Sequence, residues 1–287
     1  MIIAVASGKG GTGKTTVACN LAKSWGTPTQ LFDCDVEEPN AHLFIKGEAL
    51  SMEEVYALVP EVNEERCDAC GECGRFCRYH AIVSFGTKPL IFEELCHSCG
   101  GCMRVCTKRA IREKKRRIGV IESYKSGKIT LTHGKLDIGV AMAPPLIRAL
   151  KSHIKQRDIV ILDAPPGTSC PVVTTLREAD FVLLVTEPTP FGLHDLKLAV
   201  EMTRELNVPF GVIVNRMGVG DDRVQCYCRD EKIPILLEIA DDRRVAEAYS
   251  RGVLAVDALP EYQKIIAGLI DFLTGVTQSQ EKMYARL

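Results

Sequence analysis

The chain has 287 residues, of which 46% are hydrophobic and 25% are charged, an ordinary composition for a globular protein. Its 36 basic and 37 acidic residues give a formal net charge of −1, which argues against a nucleic-acid-binding protein, since such proteins are usually basic. No apolar run reaches the roughly 18 residues of a membrane-spanning helix, and the N-terminus lacks the charged region and cleavage site of a signal peptide. We therefore expect a cytoplasmic protein with neither a membrane nor a nucleic-acid partner.

The order of apolar and amphipathic segments predicts an α/β fold. The chain begins with a strand, a glycine-rich loop, a helix and a second strand, and the alternation resumes near residue 136. Apolar strands that alternate with helices indicate a mostly parallel, doubly wound sheet covered on both faces. The predicted strands are Ile2–Ala6, Thr29–Phe32, Leu136–Ala141, Ile159–Leu162, Phe181–Val185, Phe210–Val214 and Ile235–Ile239. The predicted helices are Lys14–Ser24, Pro144–Lys155, His194–Leu206, Arg223–Glu231, Arg243–Tyr249 and Glu261–Leu273.

Cysteines interrupt this rhythm in the middle of the chain. Eight of the 13 cysteines lie between Cys67 and Cys106, in two copies of the pattern Cys-x-x-Cys-x-x-Cys-x-x-x-Cys offset by 29 residues. This internal duplication predicts a small two-fold module inserted in the α/β domain, followed by a hairpin of Ile118–Tyr124 and Lys128–Thr132. We expect an α/β domain of residues 1–58 and 119–287, with the inserted domain at residues 59–118.

The first loop has the features of a phosphate-binding loop. Residues 8–16 read Gly-Lys-Gly-Gly-Thr-Gly-Lys-Thr-Thr, between a predicted strand and a predicted helix. Glycines let backbone N–H groups converge on a phosphate at a helix N-terminus. Lys14 is expected to reach the β- and γ-phosphates of ATP, and the Thr15 hydroxyl to bind Mg²⁺. The predicted nucleotide-binding residues of this loop are Gly10, Gly11, Thr12, Gly13, Lys14, Thr15 and Thr16.

Lys9 adds a second lysine to this loop, in the pattern Lys-Gly-Gly-x-Gly-Lys-Thr. The pattern resembles the deviant Walker A motif of the MinD/ParA-type ATPases, a group that includes the nitrogenase iron protein and the Mrp/Nbp-type iron–sulfur carriers. The resemblance implies a P-loop NTPase that hydrolyses ATP with Mg²⁺ as a homodimer or a paralogous heterodimer. It also implies that Lys9 reaches the partner's nucleotide across the dimer; the alternative is a solvated surface lysine.

Three further segments resemble motifs of that family. Asp33-Cys34-Asp35 resembles its first switch, which implies that Asp35 orients the attacking water and Asp33 supports Mg²⁺ through its shell. Asp163 follows an apolar strand and precedes Ala-Pro-Pro-Gly167, which implies that Asp163 holds Mg²⁺ through water. Asn215 matches the family's adenine-binding asparagine, although a lone asparagine after a strand is commonly a turn residue. The predicted catalytic residues are Lys9, Lys14, Asp35 and Asp163.

The cysteine spacing predicts metal ligation. Thiolates suit both zinc and iron–sulfur clusters, but zinc ribbons use two Cys-x-x-Cys pairs with a longer gap. The spacing resembles the bacterial ferredoxin run, in which the fourth cysteine binds the other cluster, and it implies an α+β ferredoxin domain. It implies one [4Fe–4S] cluster on Cys67, Cys70, Cys73 and Cys106, and a second on Cys96, Cys99, Cys102 and Cys77. Proline usually follows the fourth cysteine of such a run, whereas this chain has Arg78 and Thr107.

Three other cysteines are candidates for an additional bridging cluster. Cys170 stands seven residues after Asp163, in a placement similar to a cluster ligand of the nitrogenase iron protein. Cys226 and Cys228 lie in the half of the domain where the Mrp/Nbp-type carriers have a Cys-x-x-Cys, but their spacing is Cys-x-Cys and they lie further beyond Asn215. On a helix their side chains would point about 200° apart. Ordinary packing is the alternative for all three, and we expect it for Cys19 and Cys34.

Two functions compete on this evidence. In the first, nucleotide-driven dimer switching is coupled to electron transfer through the two clusters to a redox partner, which the duplicated run favours. In the second, the protein assembles or carries iron–sulfur or metal cofactors and hands them to an apo-protein acceptor, with Cys170 or Cys226 and Cys228 as working ligands. A spatial-positioning ATPase is a third possibility, which the predicted clusters disfavour.

Overall fold

The computed structural model describes residues 1–86, 88–155 and 158–284, with side chains described up to residue 275. The chain divides into two compact units. The larger unit comprises Met1–Met52, Ile121–Lys135 and the chain from Ile147 onward. The smaller unit comprises Glu53–Val120 and Leu136–Leu146. Its main segment therefore begins at residue 53 rather than the expected 59 and ends at 120 rather than 118, and it takes in a second segment that the sequence did not indicate.

Helices and strands alternate through most of the larger unit. The strands of the described chain are β1 Ile2–Ala6, β2 Thr29–Asp33, β3 Glu48–Val62, β4 Ile82–Val83, β5 Leu90–Ile91, β6 Ile111–Ser126, β7 Ile129–Leu136, β8 Ile159–Asp163, β9 Phe181–Thr186, β10 Phe210–Met217 and β11 Ile235–Ala240. The helices are α1 Lys14–Ser24, α2 Glu72–Phe76, α3 Gly101–Val105, α4 Pro144–Lys151, α5 Cys170–Leu176, α6 Pro190–Glu205, α7 Arg223–Asp230, α8 Arg243–Ser250, α9 Ala255–Ala258 and α10 Pro260–Tyr284. Short 3₁₀ turns lie at Ala41–Leu43 and Glu93–Leu95.

A mostly parallel sheet organises the larger unit, which confirms that part of the predicted fold. The strand order is β11-β10-β9-β1-β8-β2-β7-β6-β3, and neighbouring strands from β11 to β7 pair in parallel. β1 lies between β8 and β9, and β8 lies between β1 and β2. Because parallel strands end at the same edge of a sheet, the residues that follow β1, β2 and β8 are neighbours. Open α/β sheets bind ligands at this edge.

The core explains why these segments are strands. Every residue of β2 and β9 is buried, as expected when helices cover both faces of a parallel sheet. Val17 and Leu21 of α1 belong to one apolar cluster with Ile266 and Leu269 of α10. The buried Asn20 side chain donates to the Thr16 carbonyl at 2.7 Å and accepts from the Val256 N–H at 2.9 Å. The helix that follows the glycine-rich loop is therefore anchored to the C-terminal helices.

One predicted strand is wrong, one strand was not predicted, and one begins earlier than the pattern indicated. The run Leu136–Ala141 is not a strand: β7 ends at Leu136, and Gly139 then adopts a φ of 83° in a turn that the Val140 N–H to Asp137 carbonyl bond closes. β3 is absent from the predicted elements, and β6 begins at Ile111 rather than Ile118. Both contain many exposed charged residues, which obscure the apolar alternation on which the prediction depended.

The backbone of the smaller unit repeats with the same 29-residue offset as its cysteines. α2 and α3 are equivalent under that offset, and β4 is equivalent to the start of β6. Left-handed φ values recur at equivalent non-glycine positions, Ala69 with Ser98 and His80 with Arg109. Since non-glycine residues seldom adopt positive φ, two matched pairs indicate that both copies fold the same way. The sequence duplication is thus also a structural one.

In the described part of the chain, no helix is long and apolar enough to cross a membrane.

Candidate functional site

The glycine-rich loop connects β1 to α1 at the carboxyl edge of the sheet. Gly11 and Gly13 have φ values of 79° and 95°, a region that residues with a Cβ enter at a cost. Gly13 caps α1, and Lys14 is the first helical residue, with its side chain almost fully buried. The Gly167 N–H donates to the Ser7 carbonyl at 3.0 Å. The loop is thereby joined to the segment that follows Asp163.

Asp33 organises the segment predicted as the first switch. It ends β2, and its carboxylate accepts backbone N–H groups of Asp35 at 3.1 Å, Asn40 at 2.8 Å and Ala41 at 2.9 Å. Both oxygens are therefore used to hold the loop that contains Asp35. This contact assigns Asp33 a structural task that its motif did not reveal.

Asp163 ends β8 directly opposite Asp33 in the paired strands. Its carboxylate is buried, and neither oxygen has a hydrogen-bond partner among the described residues. Burial and then the charge of Asp33 raise the pKa of Asp163 well above its usual range, and the nearby Thr15 hydroxyl lowers it by less. A buried carboxylate without hydrogen-bond partners is costly in a folded protein. The position of Asp163 is therefore suited to a cation that binds the carboxylate directly or through a water molecule.

Burial perturbs the other charged groups of this edge as well. It raises the pKa of Asp33 to about 6 against three backbone hydrogen bonds that lower it, and it raises the pKa of Asp35 to about 6 with the help of the neighbouring Asp33 charge. Burial lowers the pKa of Lys14, while Asp163, Asp35 and Asp33 oppose that change. Charged groups with perturbed pKa values, concentrated at one edge of a sheet, are typical of functional sites.

A cavity of about 460 Å³ opens beside these groups, which is within the range of small-molecule sites. It is lined by residues of the glycine-rich loop, the first-switch segment and the ends of β10 and β11: Gly10, Gly11, Gly13, Lys14, Thr15, Thr16, Asp35, Asn40, Asn215, Arg216, Asp241 and Asp242 among others. Most of the residues predicted to bind nucleotide therefore lie around one space.

Asn215 contacts the glycine-rich loop itself. It lies inside β10, which extends to Met217 rather than ending at Val214 as predicted. Its side-chain amide donates to the Thr12 carbonyl at 2.9 Å, and a Cβ on Gly13 would lie 2.5 Å from the same nitrogen. The asparagine thus holds the loop and also lines the cavity. Contact with adenine stays a prediction.

Lys9 is paired within its own chain. Its ammonium lies 3.1 Å from the Glu187 carboxylate, and Arg216 lies 2.7 Å from the other oxygen of that carboxylate. Glu187 directly follows β9, the strand beside β1, so its place at this edge is determined by the sheet order. Sequence reasoning missed both Glu187 and Arg216; an acidic residue directly after a buried strand was the available signal.

The eight clustered cysteines separate into two cavities in the smaller unit. One is lined by Cys67, Cys70, Cys73 and Cys106, and the other by Cys77, Cys96, Cys99 and Cys102. Each cavity thus combines three cysteines of one copy with the fourth cysteine of the other. Backbone N–H groups approach two of the sulfurs, Ser98 to Cys96 at 3.4 Å and Ala110 to Cys106 at 3.2 Å.

These thiols do not form a compact single-ion site. Among the described side chains of residues 1–86, 88–155 and 158–275, no group of three or more Cys, His, Asp or Glu converges closely enough for one metal ion. A tetrahedral zinc needs all four sulfurs about 2.3 Å from one point, whereas the thiolates of an iron–sulfur cubane bind separate iron atoms. Burial raises the pKa of Cys102 to about 11 and raises that of Cys73 and Cys96, so metal binding must release protons.

The remaining cysteines are dispersed. Cys170 is exposed at the first residue of α5. Cys226 and Cys228 lie on α7, where Cys228 is fully buried and Cys226 is half-buried. The helical spacing directs these two thiols apart, as the sequence indicated. Cys19 and Cys34 are buried in the larger unit.

Comparison with known proteins identifies the family to which this chain belongs. The family model described as the CobQ/CobB/MinD/ParA nucleotide binding domain matches residues 3–256. The chain belongs to this family of P-loop NTPases. It is 35% identical over 277 residues to an uncharacterised protein of Methanocaldococcus jannaschii, MJ0579, covering 94% of this chain and 97% of that protein.

Two further comparisons concern function and fold. An iron–sulfur cluster carrier protein of Aquifex aeolicus is 25% identical over 306 residues, covering 97% of this chain and 68% of that protein. The structure of the septum site-determining protein MinD from Pyrococcus horikoshii, complexed with Mg-ADP, aligns with a TM-score of 0.58 at 19% identity over 95% of each chain. That structural likeness confirms the P-loop NTPase fold of the mostly parallel sheet.

Proposed function

We propose that this chain is an ATPase whose nucleotide-driven dimer switching is coupled to electron transfer through two [4Fe–4S] clusters. The observation that carries the proposal is the sorting of eight cysteines into two cavities, each with the exchanged fourth ligand. All eight are free thiols, and Cys73 packs in an apolar cluster with the buried Ile82 and Ile111, against which Cys77, Cys102 and Cys106 also lie.

The thiols fit such clusters chemically. Cys67, Cys70, Cys73 and Cys106 would hold one, and Cys96, Cys99, Cys102 and Cys77 the other. When bound, each cluster would store a single electron. The N–H groups of Ser98 and Ala110 would stabilise negative charge on the sulfurs, a contact that tunes the reduction potential.

The nucleotide half of the proposal begins with Mg²⁺. Asp163 has two buried oxygens without hydrogen-bond partners among the described residues, and the Thr15 hydroxyl lies beside it. These two residues fit a Mg²⁺ ion held directly by Thr15 and through water by Asp163. When bound, the ion would neutralise charge on the β- and γ-phosphates.

The chain's own residues would then perform the hydrolysis. The N–H groups from Gly10 to Thr16 bind the phosphates at the N-terminus of α1, and Lys14 reaches the γ-phosphate. Asp35 lines the cavity and orients the attacking water. Because Asp33 binds the N–H groups of Asp35, Asn40 and Ala41 together, a change at Asp35 moves that segment as a unit.

Dimer formation requires Lys9 to change partners. In the described conformation Lys9 pairs with Glu187 of its own chain. In the proposed dimer it leaves that carboxylate and completes the nucleotide site of the second subunit, while Arg216 continues to neutralise Glu187. The intrachain ion pair therefore competes with dimerisation.

The order of the chain provides a covalent route from the nucleotide to the clusters. The first-switch segment from Asp35 to Asn40 is followed by a 3₁₀ turn and then by β3, whose residues continue into the smaller unit. We infer that nucleotide-dependent movement of this segment alters how the clusters meet a redox partner.

A carrier function is the second candidate, favoured by the 25% identity to the Aquifex aeolicus iron–sulfur cluster carrier protein. It would need working ligands outside the two cysteine cavities. Cys170 is the accessible candidate, whereas the buried Cys228 and its neighbour Cys226 do not face a common point.

Anaerobic purification of cysteine variants tests the proposal. The wild-type chain should contain about eight iron atoms, and Cys77→Ser should lose about half of them while keeping the cluster of Cys67, Cys70, Cys73 and Cys106. The control is Cys170→Ser, which should retain full iron content and full redox activity if the protein transfers electrons through the two clusters. A wild-type chain without iron–sulfur signals rejects the proposal, and loss of cluster delivery in Cys170→Ser supports the carrier function instead.

A further inference from the structure

The two cysteine cavities are lined by equivalent positions of the duplicated sequence. The offset of 29 residues relates Asp68 to His97 and Tyr79 to Lys108, and all four line their respective cavities. Pro60 and Pro89 are another such pair. The cavities are therefore two versions of one construction, and differences between them are differences of side chain.

The rims of the cavities differ in chemistry at the equivalent positions. Beside the cavity of Cys67, Asp68 and Lys108 form an ion pair at 3.9 Å. Beside the cavity of Cys77, the equivalent His97 and Tyr79 stack with ring centroids 3.5 Å apart and planes inclined by 10°. One rim is thus closed by paired charges and the other by an aromatic stack.

Large apolar side chains surround the aromatic stack and are open to solvent. Leu58, Phe76 and Tyr79 line the Cys77 cavity and are 44%, 49% and 46% exposed. Gly101 permits the position of Phe76, since a Cβ there would lie 2.1 Å from the ring. Exposed aromatic residues concentrated in one place are typical of protein contact surfaces. We call Leu58, Phe76, Tyr79 and His97 the Tyr79 face.

The charges of the smaller unit indicate the sign of the partner. The basic run that follows the second copy is largely occupied, because Arg112 pairs with Glu61, Lys114 with Glu93 and Arg117 with Glu54 and Asp137. Among the described residues, the charged groups of this unit without an ion pair are mainly cations: Arg66, Arg78, Arg104, Arg109, Lys115 and Arg116, against Glu65, Glu94 and Glu113.

Arg78 is the exposed cation that directly precedes Tyr79 in the chain. It lies between Cys77 and Tyr79, two residues that line the cavity. Glu113 is the one carboxylate that lines the same cavity in the described chain. A cluster with four thiolates is itself negatively charged, so an acidic protein can approach it only where a cation offsets that charge. Arg78 supplies this cation, and its equivalent beside the other cavity is the neutral Thr107.

We propose that the Tyr79 face is the docking surface for a small acidic electron-carrier protein at the cluster of Cys77, Cys96, Cys99 and Cys102. This inference rests on the proposed function of the clusters. The apolar rim excludes water at the contact and Arg78 selects a carboxylate-rich partner. On transfer, the carrier loses the one electron that this cluster gains.

Exchange of the two rims tests the proposal by binding rather than turnover. The probe is an oxidised acidic [2Fe–2S] ferredoxin of the plant type, titrated calorimetrically into the oxidised full-length chain at about 50 mM salt. The double variant Tyr79→Lys, His97→Asp gives the Cys77 cavity the ion pair of the other rim and should weaken binding about ten-fold or more. The reciprocal variant Asp68→His, Lys108→Tyr is the matched control and should bind within about two-fold of wild type.

Arg78→Glu separates docking from any disturbance of the fold, since this side chain is exposed. It should weaken binding about ten-fold at low salt, and the difference should shrink at about 500 mM salt, where charges are screened within a few ångströms. No binding to wild type, unchanged binding in Tyr79→Lys, His97→Asp and Arg78→Glu, or equal losses in the reciprocal variant would overturn the proposal. Iron content and reduction by dithionite are measured in each sample, so a failure of the clusters themselves is recognised separately.

Discussion

The ion pair between Lys9 and Glu187 makes a quantitative prediction about dimerisation. The Lys9 ammonium lies 3.1 Å from Glu187, whose side chain is only 11% exposed, whereas that of Lys9 is 32% exposed. Unit charges about 4 Å apart interact by about 1 kcal/mol in water and about 4 kcal/mol in less polar surroundings. Screening at the exposed Lys9 end and the entropy of holding a long side chain favour the lower figure, about 1 kcal/mol per subunit.

Glu187→Gln removes this competing contact from both subunits of the proposed dimer. The gain of about 2 kcal/mol corresponds to about 30-fold tighter association. The assay is the dimer dissociation constant from analytical ultracentrifugation with a non-hydrolysable ATP analogue. Glu178→Gln is a suitable control, because Glu178 is an exposed carboxylate in an ion pair with Lys151 at 3.8 Å in the same unit. Unchanged or weaker dimerisation in Glu187→Gln, with nucleotide affinity retained, would refute the reasoning.

Three other predictions concern the glycine-rich loop, the buried carboxylates and the cysteines outside the two cavities. Gly13→Ala should abolish nucleotide binding, measured with a fluorescent ATP analogue, because its Cβ would lie 2.5 Å from the Asn215 amide nitrogen. The control is Gly26→Ala, which should retain binding. Gly26 also has a positive φ, 77°, but open space around it, so this variant shows the effect of backbone strain without a steric clash. Burial raises the pKa of Asp33 and Asp35 to about 6, so the nucleotide-free chain should lose stability in thermal melts as pH rises from about 4 to about 6, and Mg²⁺-ATP should bind more weakly as pH falls below about 6; a flat profile for both would contradict this. Cys226→Ser should leave the iron content at about eight per chain, and loss of iron would show that our assignment of the ligands is incomplete.

The sequence predicted the elements whose pattern is dictated by burial. β1, β8 and β9 are continuous apolar runs because helices cover both faces of a parallel sheet. Asp163 could be placed at the ligand-binding edge because an acidic residue that follows such a strand lies there, whereas Asp33 was indicated by the resemblance of its segment to the family's first switch. The cysteine sets followed from the resemblance of the spacing to the bacterial ferredoxin run, and the two cavities gather the same sets.

What the sequence did not reveal depends on long-range packing. Lys9 and Glu187 are distant in the chain, and their pairing follows from the adjacency of β1 and β9. The contact of Asn215 with the Thr12 carbonyl likewise requires the folded sheet. β3 escaped prediction because most of its residues are exposed and charged ones interrupt the apolar alternation. The aromatic rim of one cysteine cavity and the ionic rim of the other depend on contacts in the folded chain, Tyr79 with His97 and Asp68 with Lys108, that the sequence does not show.

The coupling between nucleotide and clusters is the central claim, and the cluster midpoint potentials test it most directly. These potentials are measured by EPR-monitored titration of the anaerobic chain, with and without a non-hydrolysable ATP analogue, in wild type and in Lys14→Ala, which should not bind the analogue productively. We predict that the analogue shifts the potential of at least one cluster in wild type and leaves both unchanged in Lys14→Ala. Identical potentials with and without the bound analogue in wild type would contradict nucleotide-gated electron transfer.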